Sequence, residues 1–120
     1  MTKSKTKLLK VADADSLYLS VITLFEMGTG HLSMLRKDAV QAGPLGAWLY
    51  QRVLPEFGRR LLSVDRDVAL RCSALHVPEP RPYRDALIGA TALVHGMTVV
   101  TRNVRDFAPM GVEVVNPWEA

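Results

Sequence analysis

The chain has 120 residues, of which 48% are hydrophobic and 22% are charged, which predicts one globular domain over residues 1–120. This composition excludes a disordered tail and a membrane protein. Fifteen basic residues against twelve acidic ones give a net charge of +3, which is compatible with a polyanionic partner but does not require one. The single cysteine, Cys72, excludes an internal disulfide and a cysteine-rich zinc site. The sequence therefore predicts a cytoplasmic protein with no membrane partner.

The first half of the chain shows the pattern of a strand followed by a helix. Residues 17–21 form a short run of apolar and β-favouring side chains. Ser20 and Thr23 are both suitable helix caps for a segment that reaches about residue 36.

A turn and a second helix are predicted next. Gly43-Pro44 is typical of a break, after which apolar residues recur at helical spacing over 45–54. Residues 61–64 resemble a second strand, and Asp65 or Asp67 is suited to cap a helix that ends near residue 76.

The second half repeats the alternation of helix and strand. From Asp85 onward, apolar residues recur at helical spacing until Gly96, which is a natural helix stop. Met97–Thr101 is a nearly continuous apolar run, typical of a buried strand, and Val112–Val115 is a shorter one. This alternation predicts an α/β domain with a mostly parallel sheet. In such sheets, ligands bind beyond the carboxyl ends of the strands.

Three acidic residues stand in apolar or strand-terminal surroundings, namely Glu26, Asp85 and Asp106. Each also has a purely structural interpretation. Glu26 fits a capping box with Thr23, Asp85 fits a helix cap or a first-turn acid, and Asp106 fits a turn.

Taken together, the three acids indicate a metal site. Carboxylates that converge repel one another and lose hydration, and a divalent cation offsets both effects. Oxygen-only ligands favour Mg²⁺ or Mn²⁺ over zinc. Such a site suits the hydrolysis of phosphodiesters. Neighbouring arginines are then candidates for binding the nucleic-acid backbone, although a solvated surface explains them equally well: Arg81, Arg84, Arg102 and Arg105.

Other residue types give weaker indications. Three histidines show no spacing typical of metal ligands: His31, His76 and His95. Cys72 is interpreted as a core residue. Three aromatic residues are interpreted as packing residues and not as base-stacking platforms: Trp48, Phe107 and Trp118.

Leu19–Glu26, Asp85–Ala92 and Val100–Phe107, in that order, closely resemble three successive blocks of VapC/FitB-like proteins of the PIN-domain family. The closing Val114–Trp118 segment resembles the C-terminus of that family, so the likeness runs from about residue 12 to the end. The resemblance implies a three-layer α/β/α PIN fold with a mostly parallel sheet of about five strands.

The same resemblance implies a function. Proteins of this kind are mostly toxins that cut RNA with Mg²⁺ or Mn²⁺, and a small antitoxin neutralises them, so we expect RNA, a cognate antitoxin and a second copy of the chain as partners. On this match Glu26, Asp85 and Asp106 are the metal-binding and catalytic acids. Thr101 and Asn103 are supporting residues.

The start of the chain departs from the family pattern. PIN proteins begin with a short apolar strand, central in the sheet, that ends in the first metal-binding aspartate, and Met1–Lys7 does not resemble it. Asp13 and Asp15 precede Glu26 by too few residues to replace it. We therefore expect the central strand to be missing and residues 1–11 to be disordered or non-native, through a misassigned start, a truncation or gene decay.

Three functional hypotheses follow from these residues. The first is a ribonuclease, weakened by the lost aspartate unless it borrows a strand from another copy. The second is a catalytically dead PIN remnant that dimerises or binds an antitoxin. The third is a small α/β domain whose three acids are only helix caps and turn residues.

Overall fold

The computed structural model describes residues 16–118, so the expectations about residues 1–11 lie outside the described residues. The described chain forms two compact units, of which the first is Tyr18–Leu62 and the second begins at Ser63. Each unit contains one pair of parallel strands. The parallel pairing confirms the predicted α/β class with a parallel sheet.

The first unit consists of two short strands with helices between them. Strand β1 pairs in parallel with strand β2, with Leu19 opposite Leu61. In chain order the elements of this unit are β1 (Leu19–Ser20), α1 (Val21–Lys37), α2 (Ala39–Trp48), a π-helical segment (Leu49–Val53), α3 (Leu54–Phe57) and β2 (Leu61–Leu62).

Side-chain caps determine where the first two helices begin. The Ser20 Oγ accepts a hydrogen bond of 3.0 Å from the backbone N–H of Ile22, so α1 begins at Val21. Of the two predicted caps, Ser20 is therefore the correct one and Thr23 is wrong. Asp38 Oδ1 accepts hydrogen bonds from two N–H groups of the first turn of α2 and starts that helix in the same way.

The break predicted at Gly43-Pro44 is wrong, because Pro44 lies inside helix α2. A proline has no N–H, so the carbonyl of Val40, four residues earlier, loses its partner in the helix. Val40 is 85% exposed, and water can therefore satisfy that carbonyl. The helix tolerates the proline because the carbonyl that loses its partner lies on the solvent-exposed side of the helix.

The second unit contains the longer buried helix pair and the other two strands. Asp65 caps its first helix, since Oδ1 accepts a hydrogen bond of 3.0 Å from the N–H of Val68, as predicted. Gly96, with a φ of +65°, ends its second helix, also as predicted. Its elements are α4 (Arg66–Leu75), α5 (Tyr83–His95), β3 (Val99–Val100), α6 (Val104–Phe107), a 3-10 turn (Ala108–Met110) and β4 (Val114–Val115).

The core of the second unit lies on both sides of helix α5. One cluster packs α4 against α5 and consists of Val68, Cys72, Ala86 and Ala90. The other joins α5 to the strands and consists of Ala92, Val99, Phe107, Met110 and Val112. The predictions that Cys72 and Phe107 are packing residues are confirmed, and burial raises the pKa of the Cys72 thiol. Over residues 16–118, none of the helices combines the length and the apolar character that crossing a bilayer requires.

Gly46 on α2 makes room for the imidazole of His31 on α1. A Cβ atom at position 46 would overlap the His31 ring. The Nδ1 of His31 is buried and has no hydrogen-bond partner among the described residues, and the ring meets Tyr50 edge-on at a centroid distance of 6.0 Å. Close packing, without a polar contact at Nδ1, therefore holds this ring in place.

The substitution Gly46→Ala is expected to lower the free energy of unfolding by about 1–2 kcal/mol, because overpacking outweighs the gain in helix propensity. Gly43→Ala, on the same helix but in open space, is the matched control and should raise it by up to ~1 kcal/mol. Urea unfolding measures both. Equal stabilisation by the two substitutions would contradict the packing of His31 against Gly46.

Candidate functional site

Two of the three predicted acids come together in the second unit. Asp85 lies in the first turn of α5 and is half-buried. Asp106 lies on α6, beyond the carboxyl end of β3, and is exposed. Partial burial, and then the negative charge of Asp106, raise the pKa of the Asp85 carboxyl above its ordinary value. The structure thus places two carboxylates close enough to repel each other.

A close contact between Gly89 and Met110, each four residues after one of the two acids, keeps Asp85 and Asp106 near each other. Gly89 follows Asp85 by one helical turn, and Met110 follows Asp106 by the same number of residues. A Cβ atom on Gly89 would overlap the Met110 sulfur and would lie 3.8 Å from the ring of Phe107. Glycine at this position therefore allows the segment after β3 to approach α5 closely.

The electrostatics of the pair favour a cation. The first turn of a helix stabilises a negative charge, which on its own would lower the pKa of Asp85. That pKa is nevertheless raised, so burial and the charge of Asp106 outweigh the helix terminus. A divalent cation removes the repulsion, and Mg²⁺ is often held by only one or two carboxylates together with water. The chemistry of this pair therefore fits the predicted Mg²⁺ or Mn²⁺.

The structural interpretation of Glu26 does not hold. Because α1 begins at Val21 with Ser20 as its cap, Thr23 is not a capping residue and cannot form a capping box with Glu26. Glu26 lies in the second turn of α1, in the first unit, and is half-buried. Its role as a metal ligand stays a prediction.

The structural interpretation of Asp85 holds in part. Helix α5 begins at Tyr83 after Pro82, so Asp85 is a first-turn acid and not the N-cap. Among residues 16–118, no group of three or more His, Cys, Asp or Glu side chains is arranged to hold a metal ion. The site that the structure describes is accordingly a carboxylate pair.

Thr101 and Asn103 shape the chain between β3 and the helix that carries Asp106. The N–H of Thr101 donates a hydrogen bond of 3.0 Å to the carbonyl of Val115, which extends the pairing with β4. The Thr101 Oγ1 accepts a hydrogen bond of 3.0 Å from the N–H of Asn103. These two bonds turn the chain directly after the strand and position α6.

The predicted RNA-binding arginines are close in sequence to the two acids. The guanidinium of Arg102 lies 4.7 Å from the centre of the Trp118 ring. That of Arg84 lies 5.8 Å from the centre of the Tyr83 ring. Arg105 is exposed on α6. Binding of RNA by these side chains stays a prediction.

Arg81, by contrast, has a structural role. Its Nε donates a hydrogen bond of 2.8 Å to the carbonyl of Leu75, at the end of α4. Its backbone N–H donates one of 3.0 Å to the Nδ1 of His76. Both bonds fasten the loop that leads into α5, so Arg81 positions Asp85 indirectly.

An open groove of about 460 Å³ lies between α4 and α5. Leucine and valine side chains line this groove, together with the charged residues Asp67 and Arg71. Asp85 and Asp106 do not line this groove, so the carboxylate pair lies outside it.

The interpretation of Trp118 and Trp48 as packing residues is wrong. Trp118 is 54% exposed and Trp48 is 46% exposed. The signal for Trp118 was its position just after the predicted last strand, where Asn116 Oδ1 accepts a 3.0 Å hydrogen bond from its N–H. In parallel sheets ligands bind beyond the carboxyl ends of the strands, which is where Trp118 lies.

The PIN domain profile matches residues 3–111 of the chain. VapC ribonuclease Y4jK of Sinorhizobium fredii is 32% identical over 113 residues, which cover 88% of this chain and 77% of that protein. Toxin FitB of Neisseria gonorrhoeae is 34% identical over 109 residues, covering 87% and 77%. The crystal structure of FitAcB from Neisseria gonorrhoeae superposes with a TM-score of 0.84 at 30% identity, covering 96% of this chain and 85% of that one, which confirms the predicted fold. With a profile match over nearly its whole length and relatives above 30% identity, the chain belongs to the PIN-domain family.

Proposed function

We propose that this chain is a cytoplasmic endoribonuclease toxin of a type II toxin–antitoxin system, dependent on Mg²⁺ or Mn²⁺. The observation that carries the proposal is the pair Asp85 and Asp106, in which the charge of Asp106 acts on the half-buried Asp85 carboxyl and contributes to raising its pKa. The names of the relatives support the choice of reaction, since one is called a VapC ribonuclease and another a toxin.

In this proposal, Asp85, Asp106 and Glu26 hold the metal ion. A bound Mg²⁺ or Mn²⁺ supplies Lewis acidity, which lowers the pKa of bound water and offsets charge on the phosphate. Asp85 contributes a carboxylate whose repulsion by Asp106 is relieved when a cation is present. Arg84, Arg102 and Arg105 bind the phosphates of the RNA strand. Thr101 and Asn103 keep the turn before Asp106 in one conformation.

The proposal includes two protein partners, a cognate antitoxin and a second copy of the chain. The likeness to FitAcB and to a toxin supports the first, because a toxin of this kind needs neutralisation. Light scattering on the purified chain gives its oligomeric state directly and therefore tests whether a second copy of the chain is a partner.

A catalytically inactive binding module is the second candidate function. It is favoured by the fact that, among residues 16–118, no three His, Cys, Asp or Glu side chains are grouped so as to hold a metal ion. Calorimetric titration with Mn²⁺ separates the two candidates. Binding in the millimolar range or tighter is needed for the nuclease and not for the binding module.

Asp85→Asn, Asp106→Asn and Glu26→Gln are each expected to reduce Mn²⁺-dependent RNA cleavage by about 100-fold or more, because each removes a charged ligand of the metal ion that stabilises the transition state. The rate of cleavage of a fluorescent oligoribonucleotide measures this loss. Asp67→Asn is the matched control, since Asp67 is an exposed acid of the same unit and lies on α4, away from the pair. Its rate should equal that of the parent chain.

The three variants also test the parts of the site separately. Activity retained by Glu26→Gln but lost in both aspartate variants would remove Glu26 from the metal site. Activity retained by both aspartate variants would reject the proposed function as a whole.

The pH dependence of stability follows from the raised pKa of Asp85. The folded chain holds this proton more tightly than the unfolded chain does, so the stabilisation is complete below the unfolded pKa and is lost as pH rises through the folded pKa. Because asparagine does not ionise, Asp85→Asn removes this loss of stability at higher pH. Without metal we therefore expect Asp85→Asn to raise Tm at pH 7 and to give a smaller rise at acid pH, which thermal melting at both pH values measures.

Bound metal should make the parent chain more stable than Asp85→Asn, which is the reverse of the order expected without metal. A ligand at 100 times its Kd stabilises the folded state by about 2.7 kcal/mol, and the parent chain should gain more from Mn²⁺ than Asp85→Asn does. Calorimetric melting with and without Mn²⁺ measures the shift, and Asp67→Asn should show the shift of the parent. Identical Mn²⁺ shifts in the parent and Asp85→Asn would show that Asp85 does not bind the ion.

A further inference from the structure

The side chain of Trp118 is exposed, unlike that of another aromatic residue of the same unit. More than half of its surface is accessible, whereas Phe107, an aromatic residue of the same unit, is only 3% exposed. A ligand that covered the Trp118 ring would bury apolar surface and gain hydrophobic stabilisation.

Arg102 lies over this ring. Its guanidinium carbon is 4.7 Å from the ring centre, within the range of a cation–π interaction. Arg102 is itself exposed. The two side chains therefore present a flat aromatic ring next to a positive charge at the surface.

Local hydrogen bonds fix the backbone on both sides of this pair. The Asn116 Oδ1 accepts a 3.0 Å hydrogen bond from the N–H of Trp118, and the Thr101 Oγ1 accepts one from the N–H of Asn103. The 3.0 Å bond from the N–H of Thr101 to the carbonyl of Val115 ties the two segments together. The pair is thus held before any ligand arrives, which lowers the entropy cost of binding.

The pair lies at the same edge of the sheet as the acids. Arg102 and Trp118 follow the carboxyl ends of β3 and β4, which are parallel neighbours. Asp106 follows Arg102 by four residues, on the helix α6, which packs against β4. A strand of RNA whose phosphate reaches the carboxylate pair therefore passes this edge.

We propose that Trp118, with Arg102 stacked over it, is a nucleobase-stacking subsite for single-stranded RNA. The inference rests on the proposed nuclease function and deepens it, because it names the part of the substrate that binds beside the cleavage site. Unpaired bases stack on aromatic rings and on guanidinium planes, and arginine also pairs with phosphate. The positive charge over the ring favours such a ligand over a purely apolar protein surface.

Tryptophan fluorescence tests this subsite without any cleavage. In the Trp48→Phe background Trp118 is the only tryptophan. Titration with hexaadenylate in EDTA should quench its emission to saturation, because a stacked base quenches indole. A hexamer with the same phosphates but abasic sugars should not quench it. Equal quenching by both oligonucleotides, or by neither, would overturn the subsite.

Binding measurements on variants give a second readout. Trp118→Leu should weaken the binding of hexaadenylate about 5- to 100-fold and leave the binding of the abasic hexamer unchanged. Trp118→Phe, which keeps a ring, should retain most of the affinity. Trp48→Leu is the matched control because Trp48 is similarly exposed, and it should bind like the parent chain. Circular dichroism checks that each variant is folded.

The outcomes separate the subsite from the nuclease. Unchanged affinity of Trp118→Leu for hexaadenylate overturns the subsite, even if the parent chain cleaves RNA with Mn²⁺. An effect of Trp118→Leu on the binding of a protein partner alone also overturns it, in favour of a protein interface. Base-dependent quenching in a chain that never cleaves RNA supports the subsite and contradicts the nuclease.

Discussion

The close approach of helix α5 to the segment that follows β3 is the contact on which the candidate site depends. Gly89 has no side chain, and the sulfur of Met110 occupies the space that a Cβ atom would take. Met110 is 6% exposed, so its packing in the core stabilises the arrangement that brings Asp106 next to Asp85. Without a cation the negative charge of Asp106 opposes that packing, because burial and this charge make the Asp85 carboxyl harder to ionise and raise its pKa. The burial of Met110 in the hydrophobic core therefore outweighs the electrostatic repulsion at the site.

The order of helices and strands was predictable because local signals mark most of the boundaries. Asp65 and Gly96 act at the positions where the sequence predicts a start and a stop. The choice between Ser20 and Thr23 was open, because both side chains can cap and only the pairing of Ser20 in β1 decides. Pro44 was misjudged for another reason. Whether a helix tolerates a proline depends on the solvation of the carbonyl four residues earlier, and a local pattern does not contain that information.

The candidate site was predictable in part, for a topological reason. Asp106 and Arg102 follow a strand of a parallel sheet, and the position of ligands in such sheets is set by the direction of the strands. The proximity of Asp85 came from the resemblance, since no spacing rule joins residues on different elements. The position of Trp118 after the last strand indicates the ligand-binding end of the sheet, but its degree of exposure depends on which elements cover the ring in the folded chain. Composition alone favours packing for tryptophan.

The two strand pairs close chain segments of very different length, and this difference bears on the order of folding. Residues 21–60 separate β1 from β2, whereas only residues 101–113 separate β3 from β4. Closing the longer segment costs roughly 1 kcal/mol more in chain entropy. Contacts between residues near in sequence form fastest, so we expect the β3–β4 pair, with Arg102 and Asp106 after it in the chain, to form early. We therefore expect the edge of the second unit that carries the candidate site to form before the long crossover of the first unit is complete.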